Sequence, residues 1–88
     1  METDIFLNRY PKIDLHGLDR DSARMYVNDF VLENVILKNK NIVIIHGIGT
    51  GILKKEVHDT LRVNKNVVNY KVDNFNSGCT VVELKIDI

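Results

Sequence analysis

Asp14 and His16 stand two residues apart in Ile13-Asp14-Leu15-His16-Gly17, and 30 residues after His16 comes His46, opening His46-Gly47-Ile48-Gly49-Thr50-Gly51. A carboxylate beside an imidazole can fix its tautomer and orient it as a general base. A glycine loop running into a helix offers free backbone N–H groups to an anion. Together such groups could surround one phosphate or one metal ion. Each motif alone has a plainer explanation: an Asp-x-His pair is more often solvated, and glycine turns often serve backbone sterics only. Here both occur where an apolar, strand-like run stops and helical spacing begins. In a parallel sheet that puts them on one edge, beside two helix N-termini, where open α/β folds bind ligands.

His16 is the candidate general base, oriented by Asp14. His46 is the candidate general acid or a second phosphate contact. Gly47, Gly49, Thr50 and Gly51 would supply the cradle and Lys54 a cation. Lys54, His58 and Arg62 recur at i, i+4, i+8 on one basic stripe, which brings His58 into the binding set. If the two strands are neighbours, His16 and His46 lie about 5–10 Å apart and can share a phosphate or a metal ion with Asp14. Magnesium or manganese on Asp14 stays open as a cofactor, and zinc on the three side chains is chemically allowed. The carboxylate cluster of a two-metal nuclease is missing. So is the Gly-Lys-Ser/Thr of a nucleotide P-loop.

The elements that must position these groups follow from periodicity. Residues 12–16 alternate, with Ile13 and Leu15 on one face and Asp14 and His16 on the other. Asp19 is a good N-cap. Ala23, Tyr26, Val27, Phe30, Val31 and Ile36 or Leu37 then recur at helical spacing, and the helix should end near 38–41, with Lys38 and Lys40 in its last turn. Ile42 to Ile45 is apolar throughout, as in a strand covered on both faces. Thr50 can cap a second helix with a Leu53, Val57, Leu61 stripe. Strands follow over 67–73 and 80–88, joined by a hairpin loop at 74–78. The order β-α-β-α-β-β implies a two-layer α/β sandwich: a mixed four-stranded sheet with both helices on one face and the last strand antiparallel. Residues 1–11 read as an N-terminal arm and 12–88 as one domain.

With 88 residues, the chain can build one modest core. Twelve basic and twelve acidic residues cancel, which speaks against a strongly basic nucleic-acid binder but allows a local patch. The single cysteine, Cys79, excludes an internal disulfide and suits a reducing cytoplasmic setting. It reads as a buried filler. No run is long enough to cross a membrane.

Asp14-Leu15-His16-Gly17 before a helix, the run from His46 to Lys54, and Gly78-Cys79-Thr80-Val81-Val82-Glu83-Leu84 entering the last strand together resemble the Smr (small MutS-related) domain family, over about residues 12–86. The resemblance implies a fold similar to the C-terminal domain of translation initiation factor three. It implies binding to a DNA or RNA backbone and weak endonuclease activity, with ribosome-associated RNA or a protein as further partners. By motif, Asp14 and His16 match residues implicated in cleavage, and His46, Gly47, Gly49 and Gly51 match the glycine motif linked to binding and activity. Two departures stand out. The last loop keeps one glycine, Gly78, and Lys54 replaces a common arginine, a point charge in place of a bidentate fork. The alternative is a non-catalytic docking module or a fragment of a larger MutS-like protein.

Overall fold

The structure, a computed structural model, describes residues 9–87. Its elements are β1 (Lys12–Asp14), α1 (Arg20–Ile36), β2 (Asn41–Ile45), α2 (Ile52–Arg62), β3 (Val67–Val72) and β4 (Cys79–Leu84). The sheet order is β1-β2-β4-β3. β1 runs parallel to β2, and β4 is antiparallel to both β2 and β3. The three strands that come first are therefore mutually parallel, and the last is wedged between two of them. β1 is shorter than its alternation suggests, although the Leu15 amide still donates to the Ile45 carbonyl at 2.7 Å. Most of the expected N-terminal arm lies outside the described residues.

The uninterrupted β-branched run of β2 is explained by its central place. Ile42 and Ile44 enter one core with Val82 and Leu84 of β4, Ala23, Val27 and Val31 of α1, and Val57 and Leu61 of α2. Both helices thus cover the same sheet face. Each of these aliphatic side chains contributes on the order of 1.5–3 kcal/mol by leaving water. Val43 points the other way and packs with Cys79, Tyr10, Ile45 and Val81. Cys79 is a free, buried thiol, and burial raises its pKa, which fits a filler and not a nucleophile. No helix among the described residues is long and apolar enough to cross a membrane.

Asp19 caps α1 as expected, accepting from the Ser22 amide at 2.8 Å. The other end departs from the periodic reading. The inward stripe finishes on buried Asn34, which bonds the Phe30 carbonyl and the Asn39 side chain, while Ile36 and Leu37 are 70% and 61% exposed. The helix stops at Ile36, before either lysine. Lys38 adopts a left-handed φ of 63°, its amide donates to the Val35 carbonyl, and the Asn39 amide donates to the Asn34 carbonyl. This pair of backbone bonds closes the helix at a position that favours glycine. Lys38→Gly should therefore stabilise the fold by about 1 kcal/mol, read as a raised urea midpoint at unchanged slope.

Candidate functional site

Pairing of Asp14 with Ile45 in the parallel register ends β1 and β2 side by side, so the two motifs leave the sheet together. One carboxylate oxygen of Asp14 accepts from both the His16 amide (3.1 Å) and His16 Nδ1 (2.6 Å). The side-chain bond to His16 is the main reason the Asp14 carboxyl sits below its ordinary pKa. A carboxylate only accepts, so Nδ1 carries the hydrogen, and in the neutral ring Nε2 keeps its lone pair. The His16 side chain is 70% exposed, leaving that lone pair available to a reactant.

Gly47 joins the dyad to the glycine loop. Its φ is +86°, and a Cβ there would stand 3.1 Å from the Cβ of His16. From the other side the Gly78 carbonyl accepts both the His46 amide (2.9 Å) and the Gly47 amide (3.0 Å). A Cβ on Gly78 would lie 3.3 Å from the Gly47 carbonyl carbon. The one glycine kept in the last loop is thus the one that the approach of the two backbones requires.

His46 does not join Asp14 and His16 around a common point. It is 4% exposed and turned into the helix-side layer, with Nδ1 3.0 Å from the Gly47 carbonyl and Nε2 2.8 Å from Thr80 Oγ1. The shared phosphate or zinc that the motif spacing allowed is not what the geometry arranges. His58 also leaves the expected basic stripe. Its Nε2 lies 2.7 Å from Thr80 Oγ1, and its ring packs between His46 and Tyr70, with centroids 5.9 and 5.0 Å away. Arg62 pairs with Asp59 at 2.9 Å. Of that stripe only Lys54 reaches the cleft described next.

A cleft of about 430 Å³ opens between the two strand-to-helix loops. Its wall includes Gly17, Asp19, Arg20, His46, Gly47, Gly49, Thr50, Gly51, Leu53 and Lys54, with Leu18, Ile48 and Ile52 at the lip; the Asp19 carboxylate is turned to the Ser22 amide. α2 begins without a side-chain cap: Gly51, at φ 87°, takes the place expected of Thr50, whose hydroxyl receives only a 3.4 Å contact from the Ile52 amide. Arg20, the first residue of α1, supplies a second cation that motif reading overlooked. Its only sequence signal is its place directly after the capping Asp19. Among the described residues neither Arg20 nor Lys54 is in an ion pair. No group of three or more His, Cys, Asp or Glu side chains converges as metal ligands among them. Magnesium or manganese would find the Asp14 carboxylate without a protein cage around it.

The Smr domain model matches residues 13–85. The chain belongs to the Smr domain family. It is 38% identical over 77 residues to endonuclease MutS2 of Clostridium tetani, covering 84% of this chain and 10% of that protein. To endonuclease MutS2 of Clostridium acetobutylicum it is 39% identical over 77 residues, covering 83% and 10%. The chain thus spans about a tenth of the length of these relatives. The crystal structure of the Smr domain of Thermus thermophilus MutS2 superposes with a TM-score of 0.81 at 30% identity, covering 84% of this chain and 96% of that one. YdaL, a stand-alone small MutS-related protein from Escherichia coli, shares the fold with a TM-score of 0.81 at 24% identity, covering 86% and 67%.

Two outcomes follow. Gly47→Ala combines a left-handed backbone with a contact on His16. It should cost about 1–3 kcal/mol in denaturant titration and shift the His16 ring resonances. The second concerns pH. Burial is the main cause that lowers the pKa of both His46 and His58; the Gly47 carbonyl opposes it at His46 and Asp59 at His58, while Lys54 lowers both and His46 lowers His58. The unfolded chain then binds more protons than the folded one just below the ordinary histidine pKa of about 6.5. Stability should be full above that value and fall as pH drops through the lowered folded values. Urea midpoints from pH 8 to 5 check this, and His58→Gln, which keeps a donor for Thr80, should flatten the slope.

Proposed function

We propose that the chain holds a nucleic-acid backbone in the cleft and hydrolyses one of its phosphodiester bonds weakly, with His16 as general base. The observation that carries this reading is the adjacency, across Gly47, of an exposed Asp14–His16 pair with a free Nε2 and a cleft holding Arg20 and Lys54. The resemblance of the chain to a domain of proteins named endonucleases supports it. In the proposed step His16 Nε2 takes a proton from water, or from a ribose 2′-hydroxyl in RNA. The oxygen so freed attacks phosphorus, the bond to the leaving oxygen breaks, and that oxygen takes a proton from solvent; with the 2′-hydroxyl as attacker the product is a cyclic phosphate that water opens in a second step. The amides of residues 49–52, Lys54 and Arg20 stabilise the added negative charge. Asp14 holds the imidazole in the Nδ1–H tautomer and stabilises the imidazolium that forms.

A binding-only module is the second reading. It is favoured by the engagement of both His46 ring nitrogens, which leaves a single histidine free for proton transfer at this edge. Incubation with labelled single- and double-stranded DNA and RNA, with magnesium, manganese or chelator, separates the two. His16→Ala should lower turnover at least 100-fold with binding nearly intact, as expected for loss of a general base. Arg20→Ala and Lys54→Ala should each weaken binding to all sequences and reduce the salt slope by about one. Cleavage by His16→Ala at the wild-type rate would remove the catalytic assignment. Wild-type binding with no cleavage of any substrate would leave the module.

A further inference from the structure

Three side chains outside the proposed chemistry form one directed chain of hydrogen bonds. It starts from the Gly47 carbonyl, which can only accept, so His46 Nδ1 at 3.0 Å must carry a hydrogen. In a neutral imidazole Nε2 is then an acceptor, and the Thr80 hydroxyl at 2.8 Å donates to it. That uses the only hydrogen of Thr80. His58 Nε2, 2.7 Å from the same oxygen, must therefore be the donor. The two histidines are thereby assigned opposite tautomers, His58 as Nε2–H and His46 as Nδ1–H. Thr80 is fully buried and sits opposite Ile44 in the β2–β4 ladder, so its oxygen has little freedom to turn elsewhere.

The end of this chain matters for the cleft. A carbonyl oxygen at the wall of an anion site repels the anion unless a donor occupies it. Gly47 has its amide held by Gly78 and its carbonyl held by His46, so both ends of the loop's first residue are set. We propose that Thr80 is a positioning residue of the nucleic-acid site: by donating to Nε2 it holds the His46 ring in the orientation and tautomer that the Gly47 carbonyl requires, which ties down that carbonyl and presents the following loop amides to phosphate. This rests on the binding reading above. It gives Thr80 and His58 work that needs no contact with the ligand.

The test has one arm independent of any ligand. Side-chain ¹⁵N spectra of the wild type at pH 7.5 should show His46 as the Nδ1–H form and His58 as the Nε2–H form. Thr80→Val keeps the shape and removes the hydroxyl. It should weaken the preference of His46 for the Nδ1–H form, move the amide resonances of residues 47–51, and weaken binding of a labelled single-stranded oligonucleotide about tenfold. Thr80→Ser should restore all three. A wild-type His46 in the Nε2–H form overturns the proposal, and this measurement decides alone if Thr80→Val does not fold. A folded Thr80→Val with unchanged loop amides overturns it too, as does unchanged affinity where the wild type binds. Wild type that binds no oligonucleotide defeats the binding reading instead, while the tautomers and loop amides still judge the positioning role.

Discussion

Everything at the functional edge depends on the approach of Gly78 to Gly47. One carbonyl accepts two successive amides, and the two backbones come so close that a Cβ on Gly78 would crowd the Gly47 backbone at 3.3 Å. This contact ties the loop after β2 to the loop before β4. On one side of it the Asp14–His16 pair lies against Gly47. On the other, His46 drops into the helix-side layer to meet Thr80. Preorganisation of this kind spares the site the cost of ordering a flexible glycine loop when a ligand arrives.

The neutral total charge is also resolved locally. Lys55 and Arg62 both pair with Asp59, Arg24 with Asp21 and Glu56, and Lys40 with Glu83. Exposed pairs such as these add little stability, about 0–1 kcal/mol each. What they do is cancel long-range field over the flanks. Arg20 and Lys54, in no ion pair among the described residues, share one concavity with the carboxylate of Asp19, which is engaged in capping α1.

Much of this was legible in the residues. Period two placed Leu15 inward and Asp14 outward, and Asp19 marked the start of α1, because these are local preferences. β-branched density made β2 central. The misses share a cause. Helical spacing groups Lys54, His58 and Arg62 on one stripe, but only the position of β4 decides that His58 turns inward to Thr80. Likewise Ile36 and Leu37 fit an apolar repeat, yet Asn34 ends the buried stripe because Asn39 folds back onto it. Arg20 carried no motif at all. Contacts across dozens of residues depend on tertiary register, which periodicity does not encode.

The wedge position of β4 has a consequence for the order of events in synthesis. β2 and β3 never touch along their ladders; each finds its partner in β4, the last strand to be made. Before residues 79–84 emerge, both carry unpaired edges. The ladder that unites the sheet joins β2 to β4 across about half of the described chain, so folding waits on a long-range closure. Gly78 and Thr80 arrive with that same strand. Until that strand is in place, His16 and the glycine motif stand without the Gly78 and Thr80 contacts that hold this edge together.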